Sequence, residues 1–254
     1  MTGAPLPRGA VEHIHECQRC REFQAFWDLP TPAAEVPPEI QTRIAQQIVT
    51  GLRPVSPLPS NLVLIALLLL LAVVAIATGV WWLGEAGWQA LAPLQSAVVF
   101  SFLGTGVLLI AHVVIRQMVP GARQWIATPV AITGVLASIL TAVLLFFPYK
   151  PNPDFVSAGL RCWGRGLLVA TGAAVLFFLV LRRGAWLSPM KLGAATGCLA
   201  GLVGLTVLEI NCPNLDRAHI GFWHLGAALT ATLIGAATPA ISIRFRSWNQ
   251  VKTP

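Results

Sequence analysis

From Leu62 to Ile243 the chain is almost unbroken apolar sequence, interrupted at intervals by short polar turns, and residues 1–60 before it are polar and proline-rich. Uncharged apolar runs of about 18 or more residues are long enough to cross a bilayer as helices. The pattern predicts six such spans, at 62–83, 94–115, 125–147, 166–181, 192–208 and 220–243. The fourth is the shortest and extends outward past Arg165, whose stem can reach back to the interface. The expected fold is therefore all-α: a six-helix transmembrane domain over 61–244, preceded by a small polar head and followed by a short tail over 245–254. The first apolar run begins too far along the chain for a cleaved signal peptide, so it is expected to stay as an anchor.

Charge gives the predicted spans a direction. With the N-terminus inside, the head, the even-numbered turns and the tail hold all but four of the 17 Lys and Arg residues; Lys150, Arg161, Arg165 and Arg217 fall outside. Cationic residues favour the cytoplasmic side, so both termini are expected in the cytoplasm of a bacterial cell, with the spans in its inner membrane. The net charge of +7 is then a topology signal. No basic patch is interleaved with aromatic residues, and direct nucleic-acid binding is not expected.

Only 11% of residues are charged, against about 25% in a soluble domain, and the mean hydropathy is +0.71. No Asp, Glu, Lys or Arg lies in the middle of a predicted span, which disfavours a pump or an ion-coupled transporter and weakens a small-molecule permease. Gly193, Gly197 and Gly201 repeat at four-residue spacing, a pattern that lets a neighbouring helix approach closely. Cys198 and His112 read as packing residues.

The head carries the most specific short motif, VEHIHECQRCREF at residues 11–23. At about 100° per residue, His13, Cys17 and Cys20 project from a helix at roughly 0°, 40° and 340°, while His15 lies near 200° on the opposite side. One imidazole and two thiols on one narrow face suit tetrahedral Zn2+, and a cytoplasmic location argues against a structural disulfide. The stretch resembles the zinc-binding anti-sigma signature, in which the H-x3-C-x2-C motif falls on His13, Cys17 and Cys20. That resemblance implies a small domain (residues 1–29) that binds a sigma factor of the extracytoplasmic-function type and keeps it from RNA polymerase, with zinc as a structural staple. One departure is plain: the family supplies a further histidine from a preceding helix, and none of residues 1–12 is His or Cys. Water, Glu16, the chain terminus or a partner is left to fill the fourth position.

Residues 30–60 form a linker. Pro30, Pro32, Pro37 and Pro38 forbid continuous helix there. A helix is expected over 39–53, with Pro38 suited to its first turn and Ile40, Ile44, Ile48 and Leu52 on one drifting face. Such a face either docks in a partner's groove or lies on the inner membrane surface. RPVSPLPS then acts as a stiff spacer.

The membrane half carries a second resemblance. LRCWGRGLLVATGAAVLFFLVLRRGAWLSP, followed by GLVGLTVLEINCPNLDRAHIGFWHLG, resembles the six-span NrsF-type negative regulators of sigma factors, over about residues 55–240. There one cysteine opens the fourth span and another, followed by Pro, closes the fifth; here these are Cys162 and Cys212. The short turn 182–191 joins these two spans as a hairpin, so both cysteines are expected at the outer surface, where a disulfide or a thiophilic metal are both open to them. His219 and His224, with Trp223, begin the sixth span nearby. Cys162, Cys212 and His219 thus form a candidate outer metal- or oxidant-sensing group, and the resemblance implies stress sensing through such cysteines.

The functional expectation is a membrane-tethered anti-sigma factor whose partners are a sigma factor and the bilayer. Two other classes compete with it, a membrane thiol oxidoreductase using Cys162 and Cys212 and a small-molecule permease. An oxidoreductase would normally relay electrons through a second pair on the same face, and the one CxxC, Cys17 and Cys20, is expected on the other. Nothing resembles a nucleophile–base pair or a phosphate-binding loop, so no catalysis is expected.

Overall fold

The computed structural model describes residues 12–13, 15–28, 37–51, 59–119, 124–150, 153–182, 184 and 188–251. Among them there are helices and no strands. The chain divides into two units, Met1–Ser56 and Pro57–Pro254.

In the first unit, α1 runs over Gln18–Asp28 and α2 over Pro38–Gly51. Pro38 opens α2, and the Thr42 hydroxyl donates to its carbonyl at 2.7 Å. Ile40, Ile44 and Ile48 all point to solvent, 48–57% exposed. Leu52 and Arg53, predicted to end this helix, lie outside the described residues, as does most of the RPVSPLPS spacer.

Among its described residues the second unit contains six helices long and apolar enough to cross a membrane, as the hydropathy pattern predicts. They are α3 (Asn61–Leu83), α5 (Pro93–Met118), α6 (Thr128–Phe146), α7 (Phe155–Leu181), α8 (Pro189–Asn211) and a sixth that begins at Arg217. A short helix, α4 (Ala86–Ala90), sits between the first two. Start signals are local. The Ser60 hydroxyl caps α3 by accepting from Val63 N–H, and α5, α6 and α8 each carry Pro in the first turn, where its missing donor costs nothing.

The sixth span is not one regular helix. It starts as a single turn, α9 (Arg217–His219), passes through a π-helical turn at Ile220–His224, and continues as α10 (Leu225–Val251).

The fifth span, α8, is the axis of the bundle. In its most apolar stretch 78% of residues are buried, against 28–44% in the other five spans. It packs on α3, α5, α6 and α7 and most extensively on α10. Lipid tails are as apolar as Leu, so burial alone does not drive helices together; close backbone approach does. The glycine ladder supplies it. A Cβ on Gly197 would stand 2.3 Å from the Ala231 carbonyl oxygen, and one on Gly201 would stand 2.8 Å from Ala228. On the other face Gly204 lies against Gly166 of α7, where a Cβ would meet the carbonyl oxygen at 2.5 Å. Cys198 sits fully buried in this core, as expected of a packing residue, whereas His112 is exposed on α5.

Candidate functional site

The elements converge at one end of the bundle. Predicted to stop at Leu208, α8 in fact runs on to Asn211 and so carries Glu209 inside the fold, 2% exposed. Asn211 then fastens the first turn onto the end of α8: its side-chain amide donates to the Leu83 carbonyl and, at 3.4 Å, to that of Gly84. Gly87 of α4 lies so close that a Cβ there would stand 2.6 Å from the Cys212 carbonyl oxygen. Asp216 ties in the third neighbour. One carboxylate oxygen accepts from Lys150 N–H at 2.7 Å and the other from His219 N–H at 3.0 Å, capping α9.

Held in this frame, Cys162, Cys212, His219 and His224 form one buried group, with one ligand atom of each within 4.8 Å of all the others. The two sulfurs are 3.5 Å apart, and His219 Nε2 is 3.5 Å from the Cys212 sulfur. His224 donates from Nδ1 to Glu209 Oε1 at 2.9 Å. All four residues are at most 8% exposed. Yet His224 Nε2, His219 Nδ1 and Glu209 Oε2 are buried with no hydrogen-bond partner. Leaving such groups unpaired costs about 1–3 kcal/mol each, so this is an expensive arrangement for a merely structural end-cap.

The backbone explains how both histidines reach the same spot. On an α-helix, residues five apart are separated by about 140°. The π turn closes its hydrogen bond from Leu225 N–H to the Ile220 carbonyl, five residues back. That wider turn stacks residues five apart, so the His219 and His224 rings meet edge to face with centroids 5.1 Å apart. Trp223 takes the space left by a glycine, since a Cβ on Gly159 would stand 2.0 Å from its indole nitrogen. A cavity of about 620 Å3 opens over the group, lined in part by Asp154, Arg161, Arg165 and Asn214.

Of the residues expected here, Cys162, Cys212 and His219 are together. His224 joins them, and Glu209 is the member that sequence reasoning missed. Its signal was present in the sequence as an acidic residue at a span end, three before Cys212 and fifteen before His224.

In the head, His13, Cys17 and Cys20 also come together, with ligand atoms within 4.8 Å of one another. His13 is exposed and the cysteines are half-buried. His15 is exposed and outside the group. Helical bonding passes through the motif, from Cys17 N–H to the His13 carbonyl (2.9 Å) and from Arg21 N–H to the Cys17 carbonyl (3.1 Å). The Cys20 backbone N–H and then its thiol hold the Cys17 thiol below its ordinary range. The same contact pushes Cys20 up, because it serves as the donor.

The sequence profile of NrsF, described as negative regulator of sigma F, matches residues 48–245. A stretch of 129 residues is 38% identical to the "Probable anti-sigma-F factor NrsF" of Azospira oryzae, covering 48% of this chain and 59% of that protein. The chain thus spans about 59% of the length of this curated relative. No solved structure matches it. The matched region includes Cys162, Glu209, Cys212, His219 and His224 and leaves out His13, Cys17 and Cys20.

Proposed function

Because the chain belongs to the NrsF family of negative regulators of sigma F, we propose that it is a membrane-tethered anti-sigma factor. In this reading the polar head and α2 bind a sigma factor of the extracytoplasmic-function type in the cytoplasm and withhold it from RNA polymerase. A signal at the cysteine end then releases it. The observation that carries the reading is the family match itself, which takes in all six apolar helices and the whole buried Cys/His group.

Other features support it. The isoleucine stripe of α2 stands open in its own unit, as a helix that docks in a partner's groove would. His13, Cys17 and Cys20 supply three of the four donors of a structural zinc site, in a segment too short to build much core of its own. Zinc there would be a staple, with no reaction to catalyse. In the second unit, Cys162, Cys212 and His219 sit where the turn after α3 is fastened onto the end of α8, so a chemical change there bears directly on the central helix.

The test is co-purification of the full chain in detergent with each sigma factor of its genome, with zinc assayed on the same sample. A stable one-to-one complex with one of them is expected. Failure of every sigma factor to bind would refute the anti-sigma reading, and a complex without zinc would refute the zinc-bearing head.

A further inference from the structure

We infer that Cys162, Cys212, His219 and His224 are the four ligands of a tetrahedral site for a thiophilic metal ion of the Zn2+ and Cd2+ class, with Glu209 positioning the His224 imidazole.

The geometry is that of a ligand shell. Metal–sulfur and metal–nitrogen distances of about 2.3 and 2.0–2.1 Å imply tetrahedral edges of roughly 3.8 Å between sulfurs and 3.5 Å between sulfur and nitrogen. Here the sulfurs are 3.5 Å apart and the Cys212 sulfur is 3.5 Å from His219 Nε2. A ligand set of two thiolates and two imidazoles selects zinc-like ions over hard cations such as Mg2+ or Ca2+.

The second observation is the unpaired nitrogen. Glu209 accepts from His224 Nδ1 and so fixes the tautomer that leaves Nε2 bare, and that Nε2 is buried without a partner. A carboxylate behind a histidine is the usual way a metal-bound imidazole is oriented. A cysteine pair serving only to form a disulfide would have no use for two buried imidazoles, for a π turn that brings them together, or for a buried carboxylate behind one of them. The ion would join α7 through Cys162, the end of α8 through Cys212, and the start of the sixth span through both histidines. Its release or capture would therefore change how three helices are fastened. That consequence rests on the reading of this end as the signal input; the binding itself does not.

The experiment loads the full chain, carrying Cys17→Ser and Cys20→Ser to silence the head, with Co2+, Zn2+ or Cd2+ in detergent. One ion per chain is expected, with a tetrahedral Co2+ spectrum that includes thiolate charge transfer. X-ray absorption of the Zn2+ form should give two sulfurs and two nitrogens, a readout that needs no further variant to fold. His219→Ala and His224→Ala should each lose tight binding. Glu209→Gln should weaken binding by about 10–100-fold while leaving the two-sulfur, two-nitrogen signature intact. No retained ion, or a two-thiolate spectrum unmoved by both histidine variants, would overturn the inference. In that event, sigma release in the otherwise native chain still judges the input reading separately: if Cys162→Ser changes it, the cysteines are the input without a four-ligand site.

Discussion

At the cysteine end of the bundle, four candidate ligands come from three elements and are at most 8% exposed; in the head, three come from eight consecutive residues and face solvent or lie half-buried. The difference lies in what holds each group in place. In the head the spacing of one helical stretch aligns the ligands, and nothing beyond that stretch is needed. At the cysteine end the alignment depends on α8 reaching Asn211, on α4 closing over its end, and on a π turn that rotates His224 beneath His219. A cluster built by local periodicity is cheap to encode and remains a ligand short. One built by tertiary packing is complete, and it moves whenever the helices move. On the proposed function, the second serves as the detector and the first as the staple.

The sharpest way to break this contrast is to remove the thiols at each place. Cys162→Ser with Cys212→Ser should abolish ion binding at the bundle end and lock sigma-dependent transcription at its repressed level. Cys17→Ser with Cys20→Ser should remove the head's ion alone and loosen its hold on the sigma factor, raising basal transcription. Metal content and a reporter under sigma control measure both. If Cys162 and Cys212 prove dispensable for induction, the division between detector and staple collapses.

A second test asks whether the cysteine end is supported by the central helix. Gly197→Ala puts a methyl 2.3 Å from the Ala231 carbonyl oxygen, where backbone must shift. Overpacking of this kind costs about 1–3 kcal/mol or more. Gly104→Ala, with nothing within 4 Å of the new methyl, should be close to neutral. The midpoint of denaturant unfolding in detergent separates them, and equal midpoints would remove α8 from its role as axis.

What could be read from sequence follows the same division. Span number, the hairpin that pairs Cys162 with Cys212, and the His13, Cys17, Cys20 face all follow from periods and lengths within one helix or two. Glu209 and His224 were harder to place. The predicted fifth span stopped at Leu208 because a carboxylate usually ends an apolar run, yet here it is paired and buried. His224 lay on the wrong side of an α-helix from His219, and no single-sequence pattern marks the π turn that corrects this.

A smaller effect is expected at Asp216, which caps α9 and holds Lys150 N–H. Asp216→Ala should cost about 1 kcal/mol, the usual value of a lost cap. Because the cap fixes His219, the same variant should also weaken ion binding at the bundle end. Unchanged binding would mean that the histidines are held by the π turn alone.

The smallest expected effect concerns the two head thiols. Cys17 is held low by the Cys20 backbone N–H and thiol, and Cys20 is held high as the donor. In metal-free protein, at a pH below the ordinary thiol value of about 8.5, iodoacetamide should label Cys17 ahead of Cys20. Raising the pH through that range should close the gap as Cys20 ionises. A thiol whose folded pKa is lowered contributes stability above its unfolded value and loses it as pH falls through the folded one; for Cys20 the window is reversed. The two contributions oppose each other, so labelling order is the readout rather than stability. Cys20→Ala removes the donor thiol but keeps the backbone N–H, so Cys17 should remain faster than a free cysteine by a reduced margin. Zn2+ should protect both thiols and erase the order. Cys20 reacting first would show that the helical stretch does not aim its N–H at Cys17, and the head would lose its claim to a preformed ligand face.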